Sequence, residues 1–203
     1  ALRTGDATVL EVLAVRRDGF DGDIDLKMEN LPAGVSATGL TIPAGKSVGH
    51  VVITAEENAK PGFSLANLSG TAKIGEADVT RPCRLATMEW PVKDAKQEIP
   101  APRLVESIPV SVSDSEAYPM SFSAAEEKVW EAVEGTKLTI PLKAVWREEF
   151  TGTSIKLKAY GRGLDTLKDF EMPLKAESHN VEIDLATLKT PPGDYTIAFY
   201  GGG

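Results

Sequence analysis

The sequence predicts an all-β protein built as two tandem antiparallel β-sandwiches. Three observations lead there. Short runs rich in Val, Ile, Leu and Thr recur at roughly 8–12-residue spacing, with turn residues between them. No amphipathic stretch of useful helical length interrupts them. One stretch also occurs twice: Arg17, Phe20 and Gly22 reappear at the same steps as Arg147, Phe150 and Gly152. Pro43 lies 23 residues after Phe20, and Pro173 lies 23 after Phe150. Matched spacing over that distance indicates two copies of one module. Two modules fit a chain of 203 residues, and immunoglobulin-like (fibronectin III-like) β-sandwich domains are the expected fold.

Taken in order, residues 7–15 read as a strand, with Val9, Leu13 and Val15 among its apolar positions. Arg16-Arg17-Asp18-Gly19 reads as a turn, because Gly after Asp accepts positive φ. Residues 21–28 alternate, with Asp21, Asp23 and Asp25 on one face and Gly22, Ile24 and Leu26 on the other. Leu31-Pro32-Ala33-Gly34-Val35 is a corner, followed by a short extended piece ending at Ile42-Pro43 and a strand over 48–54. Residues 65–74 and 79–87 form a hairpin around Gly75-Glu76. Residues 86–103 change character, with Trp90-Pro91, Ile99-Pro100 and Ala101-Pro102 among charged residues, and read as a semi-rigid linker. The expected division is a first module at 1–90, truncated at its N-terminus, a Pro-rich linker at 91–106 and a second module at 107–203. Strands are expected at 107–112, 120–122, 137–145, 153–160, 180–185 and 195–200, and 126–133 is read as extended. Gly135 matches Gly5, and Pro192-Gly193 matches Pro61-Gly62. Both ends read as cuts within a longer protein.

At position after position the copies share Arg, Phe, Gly and Pro, and the order is familiar. The run Arg17-Asp18-Gly19-Phe20-Asp21-Gly22, then Leu31-Pro32-Ala33-Gly34-Val35, then Thr41-Ile42-Pro43-Ala44-Gly45 resembles the tandem immunoglobulin-like modules of large secreted bacterial proteins that carry pre-peptidase C-terminal-type domains. It is also similar to NEW3-type sandwich modules attached to glycosidases. The second copy matches at Arg147, Phe150, Gly152 and Pro173 but has Gly161-Arg162-Gly163-Leu164 in place of the corner. The resemblance implies a periplasmic or extracellular location and a non-catalytic role beside neighbouring domains of the same parent protein.

Composition narrows the function classes. The net charge of −8 argues against nucleic acid and anionic lipid as partners. No apolar run approaches the ~18 residues of a membrane span. The lone Cys83 sits in a Val/Thr/Leu run and reads as a small core residue. Asp18, Asp21, Asp23 and Asp25 are calcium candidates, because closely spaced carboxylates supply oxygen ligands; a solvated strand face is the competing reading, since the acids do not repeat in the second copy. His50 and His179 precede strands at nearly matching places and have no companion ligand in sequence. No Gly-x-Ser-x-Gly turn or phosphate loop occurs, so no catalytic residues and no cofactor are expected. Trp130, Trp146 and Tyr160 are candidates for a sugar-stacking platform, against core packing as the alternative. Phe20 and Phe150 are expected to plug the ends of their sandwiches. The expectation is a spacer or presentation segment meeting protein or glycan at a cell surface, with a carbohydrate-binding accessory module as the runner-up.

Overall fold

The computed structural model describes residues 1–89, 101–149, 151–174 and 176–202, with backbone alone described at 87–89, 101–102 and 202. It is an all-β architecture of antiparallel sheets, as the sequence pattern predicts. In the first half the strands are β1 (Leu2–Thr4), β2 (Ala7–Leu13), β3 (Asp25–Glu29), β4 (Val35–Gly39), β5 (Val48–Ala55), β6 (Gly62–Ile74) and β7 (Ala77–Pro82). Then follow β8 (Leu85–Glu89), β9 (Ala101–Val105) and β10 (Ile108–Ala117). The second half holds β11 (Met120–Ala124), β12 (Lys137–Trp146), β13 (Ser154–Gly161), β14 (Phe170–Pro173), β15 (Ser178–Asp184), a one-turn helix α1 (Leu185–Leu188) and β16 (Ile197–Gly202).

Buried side chains form two clusters, and each cluster with its sheets is called a unit below. In the first unit the sheet β1-β10-β6-β3, with β7 also on β6, faces the sheet β2-β5-β4. Alternation sorts the faces: Leu26 and Met28 of β3 point inward while Asp25, Lys27 and Glu29 point to water. In the second unit β14-β13-β16 faces β11-β12-β15, with Ile155, Leu157 and Ala159 of β13 inward. One order of strands thus recurs, β2-β3-β5-β6 in the first unit and β12-β13-β15-β16 in the second.

The repeat is real at the level of pairing. Gly5 and Gly135 both take φ near +74° in the turn before the equivalent strands β2 and β12. Ile24 bridges Ile42 in the first unit, and Ile155 pairs with Met172 in the second. Ile42 and Met172 are completely buried. Leu26 pairs with Gly70 and Leu157 with Gly201, and a Cβ on either glycine would crowd the side chains of the partner strand. The offset between copies is therefore 130 residues at β2 and β12 but 131 at β3 and β13. The motif hides this slip, because one residue is gained before β13 and one is lost before Met172.

The expected division does not follow the strand pairing. Ile108 to Val112 of β10 pair antiparallel with Ala66 to Gly62 of β6, and Ile108, Val110 and Val112 lie in the first cluster. β7 covers the other part of the same edge, with Pro82 opposite Ser69 and the Cys83 amide donating to the Leu68 carbonyl at 2.7 Å. β7 and β10 are thus two pieces of one edge strand, and the chain leaves between them. Of the expected linker 91–106, residues 91–100 and Trp90 lie outside the described residues, whereas β9 pairs back on β8 as a hairpin. The alternating apolar pattern of β10 suits either core, so sequence alone could not assign it. The passage between units is Tyr118-Pro119, and the Tyr118 amide donates to Thr4 in the first unit at 2.8 Å.

Other expectations shift in detail. β2 turns Leu10 and Val12 toward the first cluster, while Leu13 and Val15 are exposed. Residues 126–133 are irregular. The helix α1 was not foreseen; Asp184 caps it by accepting from the Thr187 amide at 3.0 Å.

Ile108→Ala is expected to cost about 2–5 kcal/mol, as for other large-to-small core changes. The loss should fall on the first unit, as mapped by amide exchange during denaturation. Loss of protection confined to β12 and β15 would contradict the assignment of β10.

Candidate functional site: the joint between the units

The outer face of the β2-β5-β4 sheet meets the outer face of β14-β13-β16. Strand alternation puts Val9, Glu11, His50 and Val52 on the first of these faces. His50 meets Tyr160 of β13 with ring centroids 4.7 Å apart. Val52, two residues along β5 from His50, is buried although it belongs to neither cluster. The second unit supplies its cover. Lys158 lies over the Tyr160 ring at 5.1 Å and adds a cation–π contact.

Ion pairs ring this contact. Arg162 reaches Asp23 at 2.9 Å and Lys46 reaches Asp165 at 3.5 Å. At the far end Arg147 donates to the Tyr118 carbonyl at 2.7 Å and to Ser121 Oγ at 3.0 Å, and pairs with Glu57 of the first unit. Its side chain is only 20% exposed, and its guanidinium packs over Gly5. Exposed pairs contribute little singly, but a network with a half-buried Arg holds position better. Tyr118 stands beside it under Arg3, and burial, with Asp6 and Tyr200 nearby, pushes its phenol up. An open cleft of about 170 Å³ lies in the joint, lined by Pro43, Lys46, Arg162, Asp165, Lys189 and Tyr195 among others.

The sequence-predicted site residues fall as follows. Asp18 sits in an exposed turn with φ of 56°. Asp21 accepts from the Gly45 amide at 2.6 Å, Asp23 from the Ala44 amide at 2.8 Å, and Asp25 from Thr41 Oγ1 at 2.7 Å. Asp21 and Asp23 reach across to one turn and satisfy its amide donors, and Asp25 holds the Thr41 hydroxyl just before it. Among the described residues no three His, Cys, Asp or Glu side chains converge as metal ligands. Trp146 faces the second core, edge-on to Phe122 at 5.9 Å, with Nε1 donating to the Ala176 carbonyl at 2.9 Å. Trp130 packs on the same core under Lys128. Tyr160 points the other way, into the joint. Trp146 and Tyr160 therefore do not share a platform. His50 and His179 lie within β5 and β15 rather than before them. They face opposite ways: His50 opposes Glu11 in the joint, and His179 opposes the inward Leu142. Phe20 is half-buried under Arg16 at 5.3 Å and outside the core cluster, and Phe150 lies outside the described residues. Cys83 packs against the first cluster, and burial pushes its thiol up, away from the reactive thiolate.

Two residues escaped the sequence reading. The repeat drew attention to Arg17, but Arg17 is exposed and Arg16 does the work. Arg16 donates to the carbonyls of Gly22 at 2.6 Å, Lys46 at 2.8 Å and Pro43 at 2.9 Å, stapling the 17–24 loop to the 43–46 turn. Glu57 carried no signal, since its partner Arg147 is 90 residues away. A search with protein-family models finds no match to this chain, and a search of curated proteins finds none either.

Arg16→Met should cost about 1.5–3 kcal/mol, the range for hydrogen bonds from a charged donor. Arg17→Met should stay within about 0.5 kcal/mol, as surface changes do. Urea denaturation of both variants decides, and a larger loss in the Arg17 variant would refute the staple.

Proposed function

We propose that the chain is a non-catalytic spacer and presentation segment of a larger secreted or periplasmic bacterial protein. In this role it holds two β-sandwich units in one fixed relation. The observation that carries this reading is the joint itself. A buried apolar and aromatic contact at Val52, His50 and Tyr160 is ringed by pairs Arg162–Asp23, Lys46–Asp165 and Arg147–Glu57. Side chains that suggested chemistry in the sequence are spent on structure: the acids cap a turn, and the tryptophans pack on a core. The secreted compartment and the neighbouring domains rest on the family resemblance of the Phe-Gly, Leu-Pro-Ala-Gly-Val and Ile-Pro-Ala-Gly order. Partners would be met by surfaces that the segment places at a set distance and angle, so rigidity is the property that matters.

Spin labels at the exposed positions 76 and 134, with Cys83 replaced by Ser, should give one narrow inter-unit distance distribution. Glu57→Arg, which sets like charges against Arg147, should broaden it. A broad distribution in the parent chain would defeat the spacer reading.

The joint should also respond to pH. Burial lowers the His50 pKa below its ordinary 6.5; Glu11 and Asp165 oppose this, and Lys158 adds to it. A folded-state value below the unfolded one means that packing favours the neutral ring. Its stability is complete above about pH 6.5 and is lost as pH falls through that value toward the lowered one. His50→Phe should flatten the change in melting temperature between pH 8 and pH 5, measured by scanning calorimetry, relative to the parent chain. An unchanged pH profile would show that the ring is not held neutral by the joint.

A further inference from the structure

We infer that the cleft at the rim of the joint, between Lys46 and Lys189, is a binding site for a small organic anion. The ligand class is a single carboxylate or phosphate carried on a compact apolar body. The cleft belongs to the joint, but the inference does not rest on the spacer reading.

Loops of both units build the cleft. Pro43 and Lys46 come from the turn after the Ile24–Ile42 bridge, and the other lining residues come from the loop after β13 and the segment from α1 to β16. Small-ligand sites favour such meeting places, and most are apolar with a few convergent polar groups. The volume of about 170 Å³ suits a compact group. Pro43, Leu188, Pro191 and Tyr195 supply apolar surface. Tyr195 is tied down, since its hydroxyl donates to the Pro191 carbonyl at 2.7 Å. Its ring is a fixed wall for the apolar body of a ligand.

Charge selects the rest of the ligand. Lys46, Arg162 and Lys189 line the cleft against one carboxylate, Asp165, in a chain of net charge −8. A local excess of positive charge on an acidic chain draws an anion to that place. Arg162 reaches Asp23 through one guanidinium nitrogen and keeps further donors. The Lys46–Asp165 pair, at 3.5 Å, is looser than Arg162–Asp23 at 2.9 Å. An ammonium carries three donors, so Lys46 can serve a second acceptor. Among the described residues the Lys189 ammonium has no partner at all.

The backbone at Lys189 is a second, independent sign. Lys189 ends α1 with φ of 51°, in the left-handed region. Gly or Asn is usual at such helix ends, and a longer side chain costs energy there. The turn itself uses only the main chain, with the Lys189 amide donating to the Ala186 carbonyl at 3.2 Å. A lysine is thus not what the turn requires. It sets an unpaired ammonium at the lip of the cleft, on a Cα that the turn holds still.

The test titrates the full chain at low salt with benzoate and with phenyl phosphate, followed by amide chemical shifts. Benzyl alcohol serves as the neutral analogue. Saturable shifts should gather at 43–46, 161–165 and 188–195, with half-saturation on the order of millimolar for so open a cleft. Whichever probe saturates first identifies the head group. Benzyl alcohol should give no saturable shift, and added salt should weaken the anions. Lys189→Gly suits the left-handed backbone, so the variant should fold and melt no lower than the parent chain. It should nevertheless bind about tenfold more weakly, as loss of a charged hydrogen bond implies. A purely structural Lys189 predicts the reverse, a changed melting temperature with unchanged binding, and that result overturns the inference. So does the absence of saturation by either anion, equal binding of benzyl alcohol, or shifts spread over lysines elsewhere on the chain.

Discussion

The structure depends on where one strand finds its partners. β6 is long, and its backbone donors and acceptors need satisfaction along both edges. β7 serves one part of the outer edge and β10 the other, and the paired strands β8 and β9 come between them in the chain. The same β10 then runs on beside β1 in parallel and delivers the chain to the second unit. Only Tyr118 and Pro119 separate β10 from β11. Pro119 fixes its own φ and restricts Tyr118, while the Tyr118 amide is tied to Thr4. A junction with so few free dihedrals leaves the second unit little choice of orientation. The fixed joint is therefore a consequence of how the first sheet is completed.

How much of this could be read in advance follows from which signals are local. Alternation along β3, β12 and β13, the Gly75 hairpin and the recurring glycines are written in neighbouring residues, and they predict the β architecture correctly. The assignment of β10 is not local. Ile108, Val110 and Val112 alternate as any half-buried strand does, and nothing in them says which of two cores they enter. A proline-rich stretch just before them looks like a boundary, yet it falls inside an interrupted edge strand. β2 shows a related limit. It is apolar on both faces, so which of its residues turn to the core is a matter of parity that composition cannot decide. The second apolar face had a meaning, since Val9 belongs to the joint.

The repeat gave a similar half-answer for the candidate site. Arg17 and Arg147 occupy matching places in the motif, but Arg17 stands in water while Arg147 ties three segments together. The first unit uses Arg16 instead, one residue earlier, to gather three carbonyls. A guanidinium has five donors in a rigid fork, so a shift of one residue redirects all of them. The acids show the opposite case. Their alternation was visible, but the turn they cap lies about twenty residues on, and only folding brings Asp21 and Asp23 to the amides of Gly45 and Ala44.

The positions that repeat and the positions that join the units are thus largely different sets, and physical reasons separate them. Ile42 and Met172, Gly70 and Gly201 are spent on closing each sandwich, and burial or close approach leaves them nothing to offer a neighbour. The joint is built from what differs: His50 without an equivalent in β15, Tyr160 where the first unit has other chemistry, Arg162 in a loop that replaces the Pro-Ala-Gly corner. Asp23 links the two sets. It caps the turn that follows the Ile24–Ile42 bridge and also binds Arg162, so the second unit grips the first at the very place where the first copy of the motif is locked. Divergence between copies is what allows them to fit each other: Asp23 and Glu57 of the first unit meet Arg162 and Arg147 of the second, and Lys46 of the first meets Asp165 of the second.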